Sequence, residues 1–263
     1  MLKHVWIPRT RKDLNPETIK LVNKVIDKIP QLPVSVQKII EMASDMDIGA
    51  RELAEVALTD PVLSSNILTL VNSSYYGLNR RIDDLRVAIV LIGFNAVKNI
   101  AIQSRFLGLL QKDDDDLYDR EKLWAHSYLV SICAETFIHD DNPKRMGILM
   151  TLGILHDIGK FAFYAISKMM KEKGVKSLYH DDISSGMHLL KREERFLGVN
   201  HTIIGGMLAR KWNLSERISS VLEYHHFPSF FGINEIPAEY LEDISAICIA
   251  DLIVNHFTEE NIQ

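Results

Sequence analysis

The chain has 263 residues, enough for one large domain or two small ones and for a buried core. With 47% hydrophobic and 25% charged residues, the composition excludes a disordered chain, a collagen-like repeat and a coiled-coil rod. Thirty Lys+Arg against thirty-five Asp+Glu leave a formal charge of −5, so the basic field that draws proteins to phosphate backbones is missing and direct DNA binding is not expected.

Two cysteines, Cys133 and Cys248, lie far apart in apolar contexts and read as reduced core residues, neither a disulfide framework nor a thiolate metal clip. The first residues, Met1 to Pro8, place charge and proline where a signal peptide needs an apolar run. The longest uninterrupted apolar runs, such as Ala88 to Leu91, fall short of the roughly 18 residues of a membrane span. A cytoplasmic protein without a membrane segment is expected.

In chain order, Leu32-Pro33 closes a first segment, and Val36, Ile39, Ile40 and Ala43 recur at helical spacing up to Ser44-Asp45. The stretch Asp47 to Glu52 opens a helix with Leu53, Val56 and Ala57 on its apolar face. Thr59-Asp60-Pro61 predicts the next helix start, because aspartate caps and proline fits the first turn. Ile67, Leu68, Leu70 and Val71 follow, ended by the turn residues Asn72 to Gly77. Val87 to Ile92 is short, yet the helical period continues from Ala96 to Leu110.

The run Asp113 to Asp116 repels itself and marks a loop between subdomains. Helical patterning then resumes through Leu123, Trp124, Tyr128, Ile132 and Cys133, through Met146 to Leu155, and through Leu208, Trp212, Ile218, Val221 and Leu222. Alternating strands, a Gly-rich phosphate loop, a nucleophile elbow and internal repeats are not found. The expectation is an all-α, two-lobed helical architecture: an N-terminal extension over 1–19, a helical lobe over 20–112 and a second lobe over 113–263. Tyr75-Tyr76 is expected to cover the junction between lobes. His139, His180 and His188 read as surface residues, and Lys171 to Glu194 as a charged insertion able to act as a lid.

The chemistry concentrates in the second half. His126, the dipeptide His156-Asp157, His201, the dipeptide His225-His226 and Asp251 each lie within or at the edge of an apolar helix. Secluding an isolated carboxylate such as Asp251 costs several kcal/mol, and a divalent cation shared with imidazoles is a sufficient partner. Imidazole and carboxylate oxygen together suit Fe, Mn, Zn or Ni rather than Ca. One or two such ions are expected.

The order of His126, His156-Asp157 and Asp251, with the pentapeptide His156-Asp157-Ile158-Gly159-Lys160, resembles the HD superfamily of metal-dependent phosphohydrolases. The first lobe resembles the HDOD domain, the HD-related output domain of bacterial signalling proteins. It does so through Ile29 to Pro33, Asp60 to Leu63, Leu70 to Gly77, Ile82, Ala88-Ile89 and Leu91 to Gly93. The resemblance implies a first metal site at His126, His156, Asp157 and Asp251. It implies second-site ligands at His201, His225 and His226, with Asp157 able to bridge.

It also implies a regulatory protein acting on a signalling partner or a nucleotide-like small molecule. The alternative is a phosphohydrolase or phosphodiesterase in which Asp157 and Lys160 are catalytic and Lys160 holds a phosphate oxygen. Two departures bear on specificity. His226 is followed by Phe227 to Gly232 rather than the Gly-Tyr-Pro motif of cyclic di-GMP phosphodiesterases, and Lys122 stands where some relatives carry a glutamate.

Overall fold

The computed structural model describes residues 6–42, 49–109, 120–137, 143–172, 189–230 and 233–259. All regular structure among them is helical: α1 Pro16–Ile26, α2 Val34–Met42, α3 Ala50–Leu58, α4 Pro61–Val71, α5 Leu85–Leu109, α6 Arg120–Phe137, α7 Pro143–Leu155, α8 Ile158–Glu172, α9 Leu189–Leu197, α10 His201–Lys211, α11 Glu216–Tyr224 and α12 Leu241–Glu259. The all-α expectation holds. The aspartate run at 113–116, His139, His180 and His188 lie outside the described residues, as does most of the lid segment.

Local chemistry sets the boundaries of the first helices. Asn15 caps α1 by accepting from the Thr18 amide, with Pro16 in the first turn. Asp60 caps α4 through one oxygen to the amides of Val62 and Leu63, both at 3.1 Å, while its other oxygen accepts from the Ser35 hydroxyl and ties α4 to α2. After α4 the Asn72 side chain accepts from the Ile82 amide and donates to the Ile82 carbonyl, each at 2.8 Å. This clamp closes the loop through Gly77, which turns at φ 56°, a region glycine enters without a Cβ clash. Gly93 (φ 80°, ψ 163°) breaks α5 into two helical segments.

Helices α2, α3, α4 and α5 pack on one another. A second group consists of α6 against α7 and α12, α8 against α10, and α10 against α11, with α5 meeting α7 between the groups. Helix α1, which spans the residue 20 boundary, packs on α8 and α10 of the second group. Lys211 Nζ donates to the carbonyls of Ile26 and Ile29, and Trp212 Nε1 donates to Pro30 O at 3.0 Å. These donors tie the chain at and just after the end of α1 to the end of α10.

Tyr75 is 85% exposed and does not cover a junction, so the expectation fails for it, while Tyr76 is half-buried: the loop is pinned by Asn72 and Ile82 and directs the Tyr75 ring outward. Cys133 and Cys248 are buried free thiols. Counted as windows rather than uninterrupted runs, Leu85–Ser104 and Gly147–Ser167 have the length and apolarity of a span. The first is interrupted at Gly93 and the second is 83% buried within the fold.

Candidate metal centre

His156 and Asp157 occupy the turn between α7 and α8 and are buried to 1% exposure each. Two glycines let that turn sink between neighbouring helices. A Cβ on Gly153 would fall 2.5 Å from the Ser131 Cα on α6, and one on Gly159 would overlap the His201 carbonyl and lie 2.6 Å from the Gly205 nitrogen on α10. The glycine of the His-Asp-Ile-Gly-Lys pentapeptide is thus a packing requirement that brings His201 up to Asp157.

Every site residue singled out from the sequence converges there. His156 Nε2 lies 3.2 Å and His126 Nε2 3.6 Å from Asp157 Oδ2, while His201 Nε2 lies 3.3 Å and His225 Nε2 3.9 Å from Asp157 Oδ1. Asp251 closes the other side, 2.9 Å from His126 Nε2, 3.7 Å from His156 Nε2 and 3.6 Å from His226 Nδ1. Lys160 Nζ sits 2.5 Å from Asp157 Oδ2. His126 comes from α6, Lys160 from α8, His201 from α10, His225-His226 from the end of α11 and Asp251 from α12. Solvent reaches this set at His126, Lys160 and His226, whose side chains are 15%, 15% and 12% exposed.

Two of the imidazoles are held by their own helices. His156 Nδ1 donates to the Gly153 carbonyl at 2.7 Å and His225 Nδ1 to the Leu222 carbonyl at 3.0 Å, each within its own helical turn. A carbonyl only accepts, so Nδ1 carries the hydrogen and Nε2 presents a lone pair in the neutral ring. The Nε2 atoms of His126, His156, His201 and His225 and the Oδ1 of Asp157 are buried and make no hydrogen bond of acceptable geometry among the described residues. Five buried lone-pair atoms facing one another without a proton donor are a set that a cation could satisfy.

Their spacing fits an ion as well. Ligands about 2.1 Å from a metal stand roughly 3.0 to 3.4 Å apart along the edges of a coordination polyhedron, and the distances above run from 2.9 to 3.9 Å. Two groups share Asp157: His126 with His156, and His201 with His225 and His226. Within each, the ligand atoms lie within 4.8 Å of one another. The buried cluster could hold a metal ion.

The electrostatics show what the bare cluster does. Burial raises the Asp157 carboxyl, but His156 and Lys160 outweigh it and hold the group well below the usual carboxylate range. Burial likewise opposes the Asp251 carboxylate, yet His126 and His156 keep it ionised. Burial lowers His156, and the two aspartates overcome that and lift it to about 10. His225 is driven down to about 3 by burial and by the neighbouring His156 charge. Protons therefore stand in for cations between the carboxylates, and metal binding would displace them.

Glu193 was not singled out from the sequence. It is buried on α9, and its Oε2 accepts from both the His201 amide at 2.9 Å and His201 Nδ1 at 2.7 Å. The neighbouring Glu194 accepts from Asn200 Nδ2 and from the Arg9 amide, both at 2.7 Å. The charged composition of Lys171 to Glu194 reads as an insertion beside the site, and the burial of these carboxylates is recognisable only once α9 is seen against α10.

Comparison with known proteins agrees with this architecture. An uncharacterized protein of Treponema pallidum (strain Nichols) is 24% identical over 98% of this chain, which spans about half (49%) of that relative's length. An HDOD domain protein of unknown function from Geobacter sulfurreducens superposes with a TM-score of 0.64 at 25% identity, covering 90% of this chain and 77% of that one. A candidate signal transduction protein from Marinobacter aquaeolei VT8 superposes at 0.68 with 18% identity over 89% of this chain and 54% of that one. A candidate phosphohydrolase from Shewanella amazonensis SB2B superposes at 0.62 with 20% identity over 91% and 81%. These last two likenesses show the fold alone. The HDOD domain model matches residues 29–228, and the chain belongs to the HDOD domain family.

Proposed function

We propose that this chain is a regulatory signal-transduction protein of the HDOD type that retains a divalent transition-metal centre in its C-terminal helices. The observation that carries the reading is the set of unpartnered, buried Nε2 atoms around Asp157, with the His156 and His225 rings held by carbonyls at Nδ1. His126, His156, Asp157 and Asp251 would hold one ion, and Asp157, His201, His225 and His226 a second. Fe, Mn, Zn or Ni suits this nitrogen and oxygen set. The bound ions would supply Lewis acidity and positive charge at the solvent-facing rim. The occupant of that rim would be a nucleotide-like anion or an acidic group of a signalling partner.

A second reading, phosphohydrolase or phosphodiesterase activity, is favoured by Lys160. Its ammonium stands on the rim beside Asp157, where it would hold a non-bridging phosphate oxygen while Asp157 holds its charge by the same contact.

Elemental analysis of the purified chain, followed by turnover of bis-p-nitrophenyl phosphate, tests both readings. Bound metal without turnover is the result expected for a sensor. Bound metal with turnover abolished by His156→Ala and by Lys160→Met assigns the hydrolase reading instead. A chain that takes up no divalent ion after supplementation refutes the metal centre.

A further inference from the structure

We propose that Glu193 is a positioning residue for His201, fixing its ring so that Nε2 faces Asp157. The inference rests on the metal reading above and adds a residue that the ligand pattern does not contain.

The need for it follows from where His201 sits. His156 and His225 each follow a helix and find a carbonyl three residues back, Gly153 O and Leu222 O, to receive Nδ1–H. His201 is the first residue of α10, so no helical carbonyl precedes it by three residues. The residue at that distance is Gly198, in the left-handed region at φ 74°, and its carbonyl accepts from Arg9 Nη1. An acceptor for His201 Nδ1 has to come from another element, and the Glu193 carboxylate on α9 supplies it at 2.7 Å.

Capping alone does not explain a charge at this point. Asn200, a neutral side chain, already caps α10 by accepting from the Ile203 amide at 3.1 Å. Glu193 is fully buried, and no Lys or Arg forms an ion pair with it among the described residues. Burying a carboxylate is costly unless it is paired, and the one close titratable partner of Glu193 among the described residues is the His201 ring, with Lys160 acting on it only at longer range. What the carboxylate adds over a neutral cap is the contact with the ring: it fixes the tautomer, holds χ1 through the shared amide contact and makes Nε2 a stronger donor.

Glu193→Ala removes the acceptor and Glu193→Gln keeps one in the same place. Two readouts on the full chain are used: zinc affinity by competition with a chromophoric chelator, and the nitrogen shifts of His201 in the metal-free protein, assigned by their loss in His201→Gln. The expected result is that Nδ1 carries its hydrogen in the wild type and in Glu193→Gln but becomes an unprotonated acceptor nitrogen in Glu193→Ala. The weaker-bound zinc should then dissociate 10- to 100-fold more readily in Glu193→Ala, with the stronger ion unchanged and Glu193→Gln within a few-fold of wild type.

Equal loss in both variants, or unchanged nitrogen shifts and affinity in Glu193→Ala, overturns the proposal. A wild type that binds no zinc refutes the metal centre, and the nitrogen shifts then decide the role of Glu193 separately.

Discussion

Alanine at position 159 would insert a methyl group where α8 and α10 meet backbone to backbone. Its Cβ would overlap the His201 carbonyl and lie 2.6 Å from the Gly205 nitrogen, against 3.4 Å or more for ordinary contact. Neither obstacle is a side chain that can rotate away, so the two helices have to part by roughly 1 Å. Overpacking of this kind costs about 1 to 3 kcal/mol, partly offset by up to about 1 kcal/mol from the helix preference of alanine over glycine. The net loss should be about 1 to 2 kcal/mol, a fall of roughly 2 to 8 °C in Tm for a chain of this size.

The same displacement carries His201 away from Asp157 Oδ1, now 3.3 Å from its Nε2. Gly159→Ala should therefore weaken the second ion more than the first. Gly205→Ala is the graded companion, because its Cβ would meet the Gly159 nitrogen at 3.3 Å and needs only a small adjustment. Thermal melting and zinc titration of both variants check the expectation. An unchanged Tm with full zinc uptake in Gly159→Ala would refute the reasoning that this glycine seats His201.

Lys98 is fully buried, donating to the Gly147 carbonyl at 2.9 Å, and burial lowers it to about 7 despite an opposing pull from Glu135. The fold thus binds this proton less well than the unfolded chain does, so stability should rise as pH climbs from about 7 to about 10.5, by as much as about 5 kcal/mol. In Lys98→Met that rise should flatten in urea melts across this range; an unaltered pH slope would contradict it. Asp60→Ala removes the α4 cap and strands the Ser35 hydroxyl, and should cost about 2 kcal/mol, read as a lower urea midpoint at constant m value.

The candidate ligands were legible in the sequence because polar groups of ligand type interrupt apolar helices: His156-Asp157 after Leu152 to Leu155, and Asp251 inside Ile247 to Leu252. The start of α4 was legible because Asp60-Pro61 is local chemistry. Glu193 was not, since a carboxylate in a charged stretch declares its burial only through the partner it meets eight residues later. The boundary drawn at residue 20 runs through α1, because sequence alone does not show which surface a helix packs on. Tyr75 misled for the reverse reason: a large ring suggests burial, yet the Asn72 clamp turns it outward.

Anomalous diffraction from crystals soaked in a divalent transition metal, recorded on both sides of its absorption edge, tests the metal centre most directly. The prediction is density on either side of Asp157, one peak among His126, His156 and Asp251 and the other among His201, His225 and His226, with both lost in Asp157→Ala. Absence of a peak in the wild type, or one bound elsewhere on the surface, would contradict it.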